Sequence, residues 1–391
     1  MNTNKQLSAV ACLLLSVSLV RAGGLVITPT FDSTITTDPN AATIENSINA
    51  AIQYYERQFG DPITVTILFQ EMGSGLGQSS TYYSTMTYSD YFTALTADAT
   101  TTNDAIALAH LPGGPNNPVD GTPNIDVTTA NQRAIGFNTT PPPGQPDSTI
   151  GLNTSLMNLD RTTIDPNKYD LMAVVWHEID EALGTSSGLG QGNIRPVDLF
   201  RYTAEGSRTY TTAGDDAYFS IDGGATDLAR YNQDASGDYG DWWSTGPHTP
   251  QVQDAFGTPG ATPNPGVELI VLDVIGYDLA SAVPPPMLQV VPGPGNAVTL
   301  TWNTVSRRTY QLQYATNLNS PITWNNLGAP ITGTGSPLTL SDSATNPMRF
   351  YRVLLAPDPL SAATPRPSAM ATGPLQLRTT YLRPKALTAP R

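Results

Sequence analysis

Apolar residues recur along the N-terminal part of the chain with spacings that change from helical to extended. Within residues 41–59 they lie three or four positions apart, which predicts a helix that stops at Gly60. The β-branched run over residues 63–69 predicts a strand directly after it. Residues 82–98 predict a second helix, and residues 150–159 predict another short strand. These elements indicate a domain of the α+β class.

A further helix is predicted between Asp165, which precedes a proline, and Gly184. Asp165 followed by Pro166 is typical of an N-cap with proline at the first helical position. Gly184 fits the position directly after the last helical turn. At 100° per residue the apolar side chains of this helix share one arc. His177 and Glu181 lie together on the opposite side, with Glu178 on the flank. Amphipathic helices often carry such residues on a solvated face, so that interpretation competes with a functional one.

The spacing of His177 and Glu181 also fits metal binding. Side chains four residues apart on a helix can reach one ion at about 2.0–2.2 Å. Glu178 need not be a ligand, because beside the ion it can accept a proton from a bound water. The chain has only three histidines, so the presence of one in this pattern favours the metal-site hypothesis.

Residues 177–184, with the sequence HEIDEALG, resemble the His-Glu-x-x-His-x-x-Gly helix of zincin metallopeptidases. Three later segments are similar to those of a group of secreted bacterial zincin-like metalloproteases: residues 198–202, 252–260 and 272–279. The resemblance covers roughly residues 25–280. It implies a zincin-like α+β catalytic domain over residues 23–281, a Zn²⁺ cofactor, a protein or peptide substrate, and Glu178 as the catalytic base.

The sequence departs from the family pattern in three places. Glu181 stands where zincins have their second metal histidine, and Ser187 stands where metzincins have a third. No methionine occurs between Gly184 and Ser281, so the methionine turn of metzincins is missing. These departures support an alternative function, in which the domain is a catalytically inactive zincin-like scaffold and the secreted protein serves in binding or adhesion.

The third metal ligand is open among Asp198, Glu205 and His248. We favour Asp198, because it begins a segment that the resemblance shares and aspartate is an acceptable zinc ligand. A carboxylate in a turn or at a strand edge explains the same residue without a metal. His248 lies between glycine and prolines, which indicates a loop.

A second oxygen-rich stretch follows between residues 222 and 241. Its polar residues are Asp222, Asp227, Asn232, Asp234, Asp238 and Asp241. Because Ca²⁺ prefers oxygen ligands, the stretch suggests a Ca²⁺ site, although it lacks the regular spacing of an EF-hand. Surface turns rich in aspartate are the competing interpretation.

Charge and cysteine content narrow the function further. Residues 23–281 contain 31 acidic and 8 basic residues, whereas residues 282–391 contain 2 acidic and 9 basic ones. This asymmetry indicates two units, and the acidic unit argues against nucleic acid as a partner.

Residues 1–22 are typical of a signal peptide, which predicts a secreted protein, extracellular or periplasmic. No later stretch is apolar enough for a membrane span. Removal of the signal would take away Cys12, the only cysteine, so a metal must be bound by His, Asp or Glu.

The C-terminal part predicts three segments. Residues 282–286 form a Pro-rich linker, and alternating strands over residues 287–356 resemble fibronectin type III-like β-sandwiches. Residues 357–391 are basic and rich in Pro, Ala and Thr, which predicts disorder. Four aromatic residues in the sandwich suggest either core packing or contact with a surface or polysaccharide: Trp302, Tyr310, Tyr314 and Trp324.

Overall fold

The computed structural model describes most of the chain beyond the predicted signal peptide. The described residues are 24–280, 286–294, 297–304, 309–318, 322–334, 336–343, 348–355 and 374–384. The predicted signal peptide and residues 282–285 of the predicted linker lie outside these ranges. The chain forms two compact units. The larger unit contains Gly24–Ala280 and the segment Pro365–Arg391, and the smaller unit contains Ser281–Thr364.

The larger unit mixes helices with several small sheets. Its helices are α1 (Ser33–Thr36), α2 (Ala41–Gln58), α3 (Tyr88–Asp98), α4 (Thr102–Ala109), α5 (Thr129–Ala134), α6 (Leu171–Leu183) and α7 (Val267–Val274). Its strands before residue 280 are β1 (Val26–Phe31), β2 (Thr64–Glu71), β3 (Gly77–Thr87), β4 (Asn124–Thr128), β5 (Ser148–Leu152), β6 (Met157–Asn158), β7 (Tyr169–Asp170), β8 (Arg201–Ala204), β9 (Ser207–Arg208), β10 (Tyr218–Phe219), β11 (Ala229–Arg230) and β12 (Phe256–Gly257). Short 3₁₀ helices occupy Thr154–Leu156 and Pro196–Phe200. No helix in the described part of the chain is long and apolar enough to cross a membrane.

The smaller unit consists of antiparallel strands. They are β13 (Leu288–Pro292), β14 (Ala297–Trp302), β15 (Thr309–Ala315), β16 (Asn325–Asn326), β17 (Ile331–Thr332), β18 (Leu338–Ser343) and β19 (Phe350–Leu355). One sheet has the order β13-β14-β18, and in the other β15 pairs with β16, β17 and β19. Leu300, Trp302, Tyr310 and Leu312 form the buried core of this unit. The core interpretation is therefore confirmed for Trp302 and Tyr310, while Tyr314 and Trp324 are half-buried beneath arginine side chains.

The central sheet of the larger unit includes a strand from the end of the chain, β20 (Gln376–Pro384). The strand order is β1-β2-β5-β3-β20-β12, and β4 also pairs with β3. Strands β1, β2 and β5 are parallel, whereas β3 runs antiparallel to both β5 and β20. The prediction that residues 357–391 are disordered is therefore wrong for β20. Its residues alternate between buried and exposed, and the sheet supplies the partner that the composition does not reveal.

Two predicted helix boundaries are also corrected. Helix α6 begins at Leu171 and is capped by Asp170, whose carboxylate accepts a hydrogen bond from the amide of Ala173. It cannot begin at Asp165, because the two residues before α6 are paired as β7 with β6. Residues 82–87 extend strand β3 and are not helical, because they pair with β4, and α3 starts only after Thr87. The predicted end at Gly184 is confirmed, and its φ of 133° favours glycine.

Gly276 provides a test of the packing between α7 and the core. It has a φ of +111°, and an added Cβ would lie 2.1 Å from Cγ2 of Ile135. We expect Gly276→Ala to lower the free energy of unfolding by about 2–4 kcal/mol, from backbone strain plus overpacking. Gly121→Ala is the matched control, since its φ is +74° but no atom lies within 4 Å of the new Cβ. Urea denaturation of both variants measures the difference, and equal losses would show that the Ile135 contact is unimportant.

Candidate metal site

Helix α6 packs its polar side chains into the protein interior. His177, Glu178, Asp180 and Glu181 all have 0% exposure, as does the apolar residue Ile179 between them. The solvated-face interpretation of this helix is therefore wrong. Charged groups are rarely this buried unless they are paired or bind a metal, so each needs a specific partner.

The imidazole of His177 is oriented by a backbone carbonyl. Its Nδ1 lies 3.0 Å from the carbonyl oxygen of Val252. A carbonyl can only accept a hydrogen bond, so Nδ1 carries the proton and Nε2 keeps its lone pair. Burial lowers the pKa of His177 to about 4, which keeps the ring neutral near pH 7. A neutral imidazole with a fixed tautomer is the form that binds metals.

Two carboxylates face this nitrogen. The distance from His177 Nε2 is 3.8 Å to Glu181 Oε1 and 3.8 Å to Asp241 Oδ1. One ligand atom from each of the three residues lies within 4.8 Å of the other two. Ligands that share one ion at about 2.0–2.6 Å are separated by similar distances. The three side chains therefore form a buried group that could bind a metal ion, without indicating which metal.

The preferred third ligand, Asp198, is not in this cluster. It is buried, but its carboxylate accepts hydrogen bonds from Ser187 Oγ at 2.5 Å and from the amides of Gly188 and Arg195, each at 2.8 Å. These bonds close the turn that leads into the 3₁₀ helix at Pro196–Phe200. Asp198 is therefore a turn carboxylate, which was the competing interpretation of this residue.

The other two candidates lie elsewhere as well. Glu205 is exposed in the turn between β8 and β9. His248 lies with its Nε2 2.7 Å from Oδ2 of Asp254 and its Nδ1 2.9 Å from the carbonyl oxygen of Gly246. Both of its ring nitrogens are thus engaged within its own loop.

Asp241 belongs to the oxygen-rich stretch for which Ca²⁺ was the hypothesis. Two other members, Asp222 and Asp234, accept hydrogen bonds from residues two to four positions ahead, as expected for turns. Among the described residues, the only group of three or more His, Cys, Asp or Glu side chains close enough to share an ion is the one with His177, Glu181 and Asp241. The stretch thus contributes Asp241 to the group on α6 that could bind a metal ion, and its other aspartates form no separate cluster of this kind among the described residues.

Glu181 is hydrogen-bonded at one oxygen and free at the other. Its Oε2 accepts from Ser79 Oγ at 2.8 Å and from the hydroxyl of Thr380 on β20. Its Oε1, which faces His177, has no hydrogen-bond partner. Burial, followed by the charge of Asp238, raises the pKa of Glu181 to about 8. One oxygen is thus fixed in position, and the other remains available.

Both carboxylate oxygens of Glu178 are buried beside the cluster and accept no hydrogen bond from an N–H or hydroxyl group, while the side chain shares a hydrogen bond with the carboxyl of Glu181. Burial and the neighbouring charge of Glu181 raise its pKa well above the ordinary value. Its position depends on Gly77, because a Cβ there would lie 2.2 Å from Glu178 Oε1. The backbone at the start of β3 therefore leaves the space that this carboxylate occupies.

Gln253 completes the surroundings of the cluster. Its amide nitrogen lies 3.0 Å from Asp241 Oδ1 and 3.3 Å from His177 Nε2, while its Oε1 is buried without a partner. The remaining oxygen of Asp241 is also buried without a partner, and burial raises the pKa of that carboxyl well above its ordinary value. The oxygen of Asp241 that faces His177 is thus paired with Gln253, and a divalent cation beside the imidazole lone pair would compensate the buried charge of both carboxylates.

Several residues of this site were missed by the sequence analysis. Asp241 and Gln253 come from a loop far from α6, and Ser79 and Thr380 come from two strands of the sheet. The density of aspartates around Asp241 was the one signal that marked any of them. Comparisons with protein-family models, with curated proteins and with solved structures found no match for this chain.

The pKa shifts predict a metal effect that depends on pH. Glu181 and Asp241 hold protons more tightly in the folded metal-free protein than in the unfolded chain. Their contribution to the free energy of unfolding is fully present below their unfolded pKa values, at about 4. It is lost as the pH rises through their raised folded pKa values, which for Glu181 is about 8. Folding favours the neutral form of His177, so the pH dependence of its contribution has the opposite sign. That contribution to the free energy of unfolding is lost only as the pH falls from 6.5 towards about 4.

Between pH 6.5 and 8 the carboxylates therefore decide the trend. We expect the chelator-treated protein to melt at a lower temperature at pH 8 than at pH 6.5. Zn²⁺ should raise the melting temperature more at pH 8, because it competes with fewer protons for its ligands. Differential scanning fluorimetry measures both effects. An equal shift at the two pH values would contradict the involvement of these carboxylates.

The ligand assignment predicts different behaviour for two buried aspartates. Asp241→Asn should weaken Zn²⁺ binding by at least about 100-fold, because it removes a charged donor. Asp198→Asn should leave Zn²⁺ affinity unchanged and lower the free energy of unfolding by about 1–3 kcal/mol, because it disturbs buried hydrogen bonds. Titration with a competing chelator, together with urea denaturation, separates the two. The assignment is wrong if Asp198→Asn is the variant that loses Zn²⁺.

Proposed function

We propose that this chain is a secreted, zincin-like, zinc-dependent peptidase whose metal is bound by His177, Glu181 and Asp241. The observation that carries the proposal is the convergence of the Nε2 lone pair of His177 and one carboxylate oxygen each from Glu181 and Asp241 on one buried point. The resemblance of residues 177–184 to the zincin helix supplies the reaction class. A nitrogen and oxygen donor set is compatible with Zn²⁺, and no cysteine is required.

Three protein donors leave room for a water, as in catalytic zinc sites. A bound Zn²⁺ would lower the pKa of that water and polarise the carbonyl of a peptide bond. Glu178 follows His177 directly in α6, and no N–H or hydroxyl group of the protein donates to its carboxylate. It is therefore suited to accept a proton from water and to return it to the leaving amine.

The orientation of His177 supports the same role. Its Nδ1–H donates to the carbonyl of Val252, so the ring cannot rotate without loss of that buried hydrogen bond. Hydrogen bonds of this kind behind a metal-binding histidine fix its tautomer. The hydroxyl of Ser79 donates to Glu181 Oε2, the oxygen other than the one that lies 3.8 Å from His177. Two of the three proposed ligands are thus positioned before any metal binds.

An inactive scaffold is the second candidate, and one observation favours it. The side chains of the cluster are 0–1% exposed, and a catalytic site must be reached by its substrate. In this alternative a bound metal would only stabilise the larger unit. The two functions differ in the role of Glu178, which matters for hydrolysis and not for a structural metal.

Glu178→Gln tests the choice between them. We expect casein hydrolysis to fall by at least about 100-fold while the Zn²⁺ content stays at the wild-type value, because general-base catalysis contributes about 10²–10⁴-fold. Glu205→Gln is the matched control, since Glu205 is an exposed glutamate outside the cluster. Turnover is measured by release of labelled peptides, and the metal by elemental analysis. Undiminished hydrolysis in Glu178→Gln, or purified protein without Zn²⁺, would reject the peptidase and favour the scaffold.

A further inference from the structure

The burial of the cluster depends on a strand that arrives from the end of the chain. Strand β20 lies antiparallel to β3, with Gln376 opposite Tyr83 and Leu382 opposite Gly77. It follows the last residue of the larger unit's main segment, Ala280, by almost a hundred positions. The other elements around the cluster, β3, α6 and the Asp238–Asp254 loop, all belong to that continuous main segment.

Alternate residues of β20 face the proposed site. The hydroxyl of Thr380 donates to Glu181 Oε2, and it also lies 2.7 Å from Ser79 Oγ. Leu382 is 3% exposed and lines a cavity of about 30 Å³ together with Ala173 and Val174 of α6. It is paired with Gly77, the residue that makes room for Glu178. One strand therefore contacts the proposed ligand Glu181 directly and pairs with the residue that lies beside the proposed base.

The opposite face and outer edge of β20 are weakly attached. Leu377 is 54% exposed and Tyr381 is 45% exposed. On its outer edge the strand pairs with β12 only at Arg383 and Pro384. Strand β3 would keep its pairing with β5 and β4 if β20 left. Strand β20 is thus attached mainly along one edge, by its seven residue pairs with β3, and such a strand opens more readily than the core.

Charge complements this geometry. Residues 374–384 contain two basic residues, Arg378 and Arg383, and no acidic one, whereas residues 23–281 carry a large excess of acidic residues. The amide of Tyr381 donates to Asp238 Oδ2 at 2.9 Å, and Arg383 lies close enough to lower the pKa of the same carboxyl against the effect of burial. The tail is therefore attracted to the acidic side of the site, and this attraction weakens as salt rises.

We propose that β20 is a displaceable intramolecular cover, which blocks the metal site while it is paired with β3 and opens it when it leaves. This inference rests on the proposed peptidase function, since it accounts for a hydrolytic site that is closed to solvent. It assigns the C-terminal segment an autoinhibitory role. An extended basic peptide with the sequence of the tail can compete for the same place by strand addition.

A reversible lock tests the cover without loss of its contacts. Ser80 and Thr379 are partners across β3 and β20, with hydroxyl oxygens 2.8 Å apart, and they point away from Glu181. In a Cys12→Ser background, Ser80→Cys combined with Thr379→Cys should form a disulfide that holds β20 in place. We expect the oxidised protein to release Zn²⁺ to a chelator, and to hydrolyse casein, at least tenfold more slowly than the reduced protein. The two single-cysteine variants should not respond to oxidation.

A second variant opens the cover instead. Leu382→Asp places a carboxylate in the apolar cavity beside α6 and should release β20, whereas Leu377→Asp changes the exposed face of the same strand. We expect Leu382→Asp alone to bind a fluorescent synthetic peptide of residues 374–384, to lose Zn²⁺ to a chelator at least tenfold faster, and to hydrolyse casein faster. Added unlabelled peptide should reverse these gains, and circular dichroism checks that the fold is retained.

The possible failures are distinguishable. If the lock changes Zn²⁺ release and Leu382→Asp binds the peptide, but no form hydrolyses casein, the cover stands and the peptidase is rejected. If casein is hydrolysed and Glu178→Gln is inactive, but oxidised and reduced lock variants behave alike, the peptidase stands and the cover is rejected. If Leu382→Asp does not fold, the lock variant decides alone, because it keeps every buried contact of β20.

Discussion

The larger unit is organised around the cost of burying several carboxylates side by side. Glu178, Asp180 and Glu181 lie on one helix without contact with bulk water, and Asp241 joins them from a loop. In a medium of low polarity an isolated carboxylate either takes up a proton or acquires a donor or a cation. The raised pKa values of these groups are the direct result of that constraint. What distinguishes the four carboxylates is how each is compensated.

Asp180 and Glu181 show two different solutions. The hydroxyl of Tyr55, on helix α2, donates to Asp180 Oδ1 at 2.6 Å, so this carboxylate serves to join two helices. Glu181 receives hydroxyl donors at one oxygen only, while its other oxygen faces His177. No N–H or hydroxyl group donates to Glu178, whose side chain shares a hydrogen bond with the carboxyl of Glu181 instead. The least compensated carboxyl groups of α6 are thus Glu178 and Glu181, and a cation beside His177 would stabilise the charge of Glu181.

The loop that completes the site is held by one further buried acid. Glu268, in the first turn of α7, accepts hydrogen bonds from the indole nitrogen of Trp242 at 3.0 Å and from the backbone amide of Gln253 at 3.1 Å. These residues directly follow Asp241 and Val252, which supply a ligand oxygen and the carbonyl behind His177. A change at Glu268 would therefore displace both contacts of the histidine together. Packing of α7 against the loop thus determines geometry that α6 alone cannot fix.

The site combines side chains from one helix with side chains from distant segments, and this explains what the sequence could and could not predict. Helical periodicity is local, so it brought His177 and Glu181 together correctly and ended α6 at Gly184. Asp241 lies 60 residues beyond Glu181, and no periodic pattern relates a loop residue to a helix face. Strand β20 was missed for a similar reason, because its pairing with β3 is non-local and its composition resembles that of disordered segments.

The amide of Gln253 bears on whether the site is catalytic or structural. A closed structural zinc site has four protein donors, so the scaffold would need a fourth besides His177, Glu181 and Asp241. Gln253 is the nearest candidate, but its nitrogen faces His177 and Asp241, which are acceptors, and its oxygen points away from them. This orientation satisfies the metal-free cluster and provides no fourth ligand. The three remaining side chains are one donor fewer than a closed structural zinc site needs. This count supports the proposed peptidase over the scaffold, because a catalytic ion would use three protein donors and leave the last place for water.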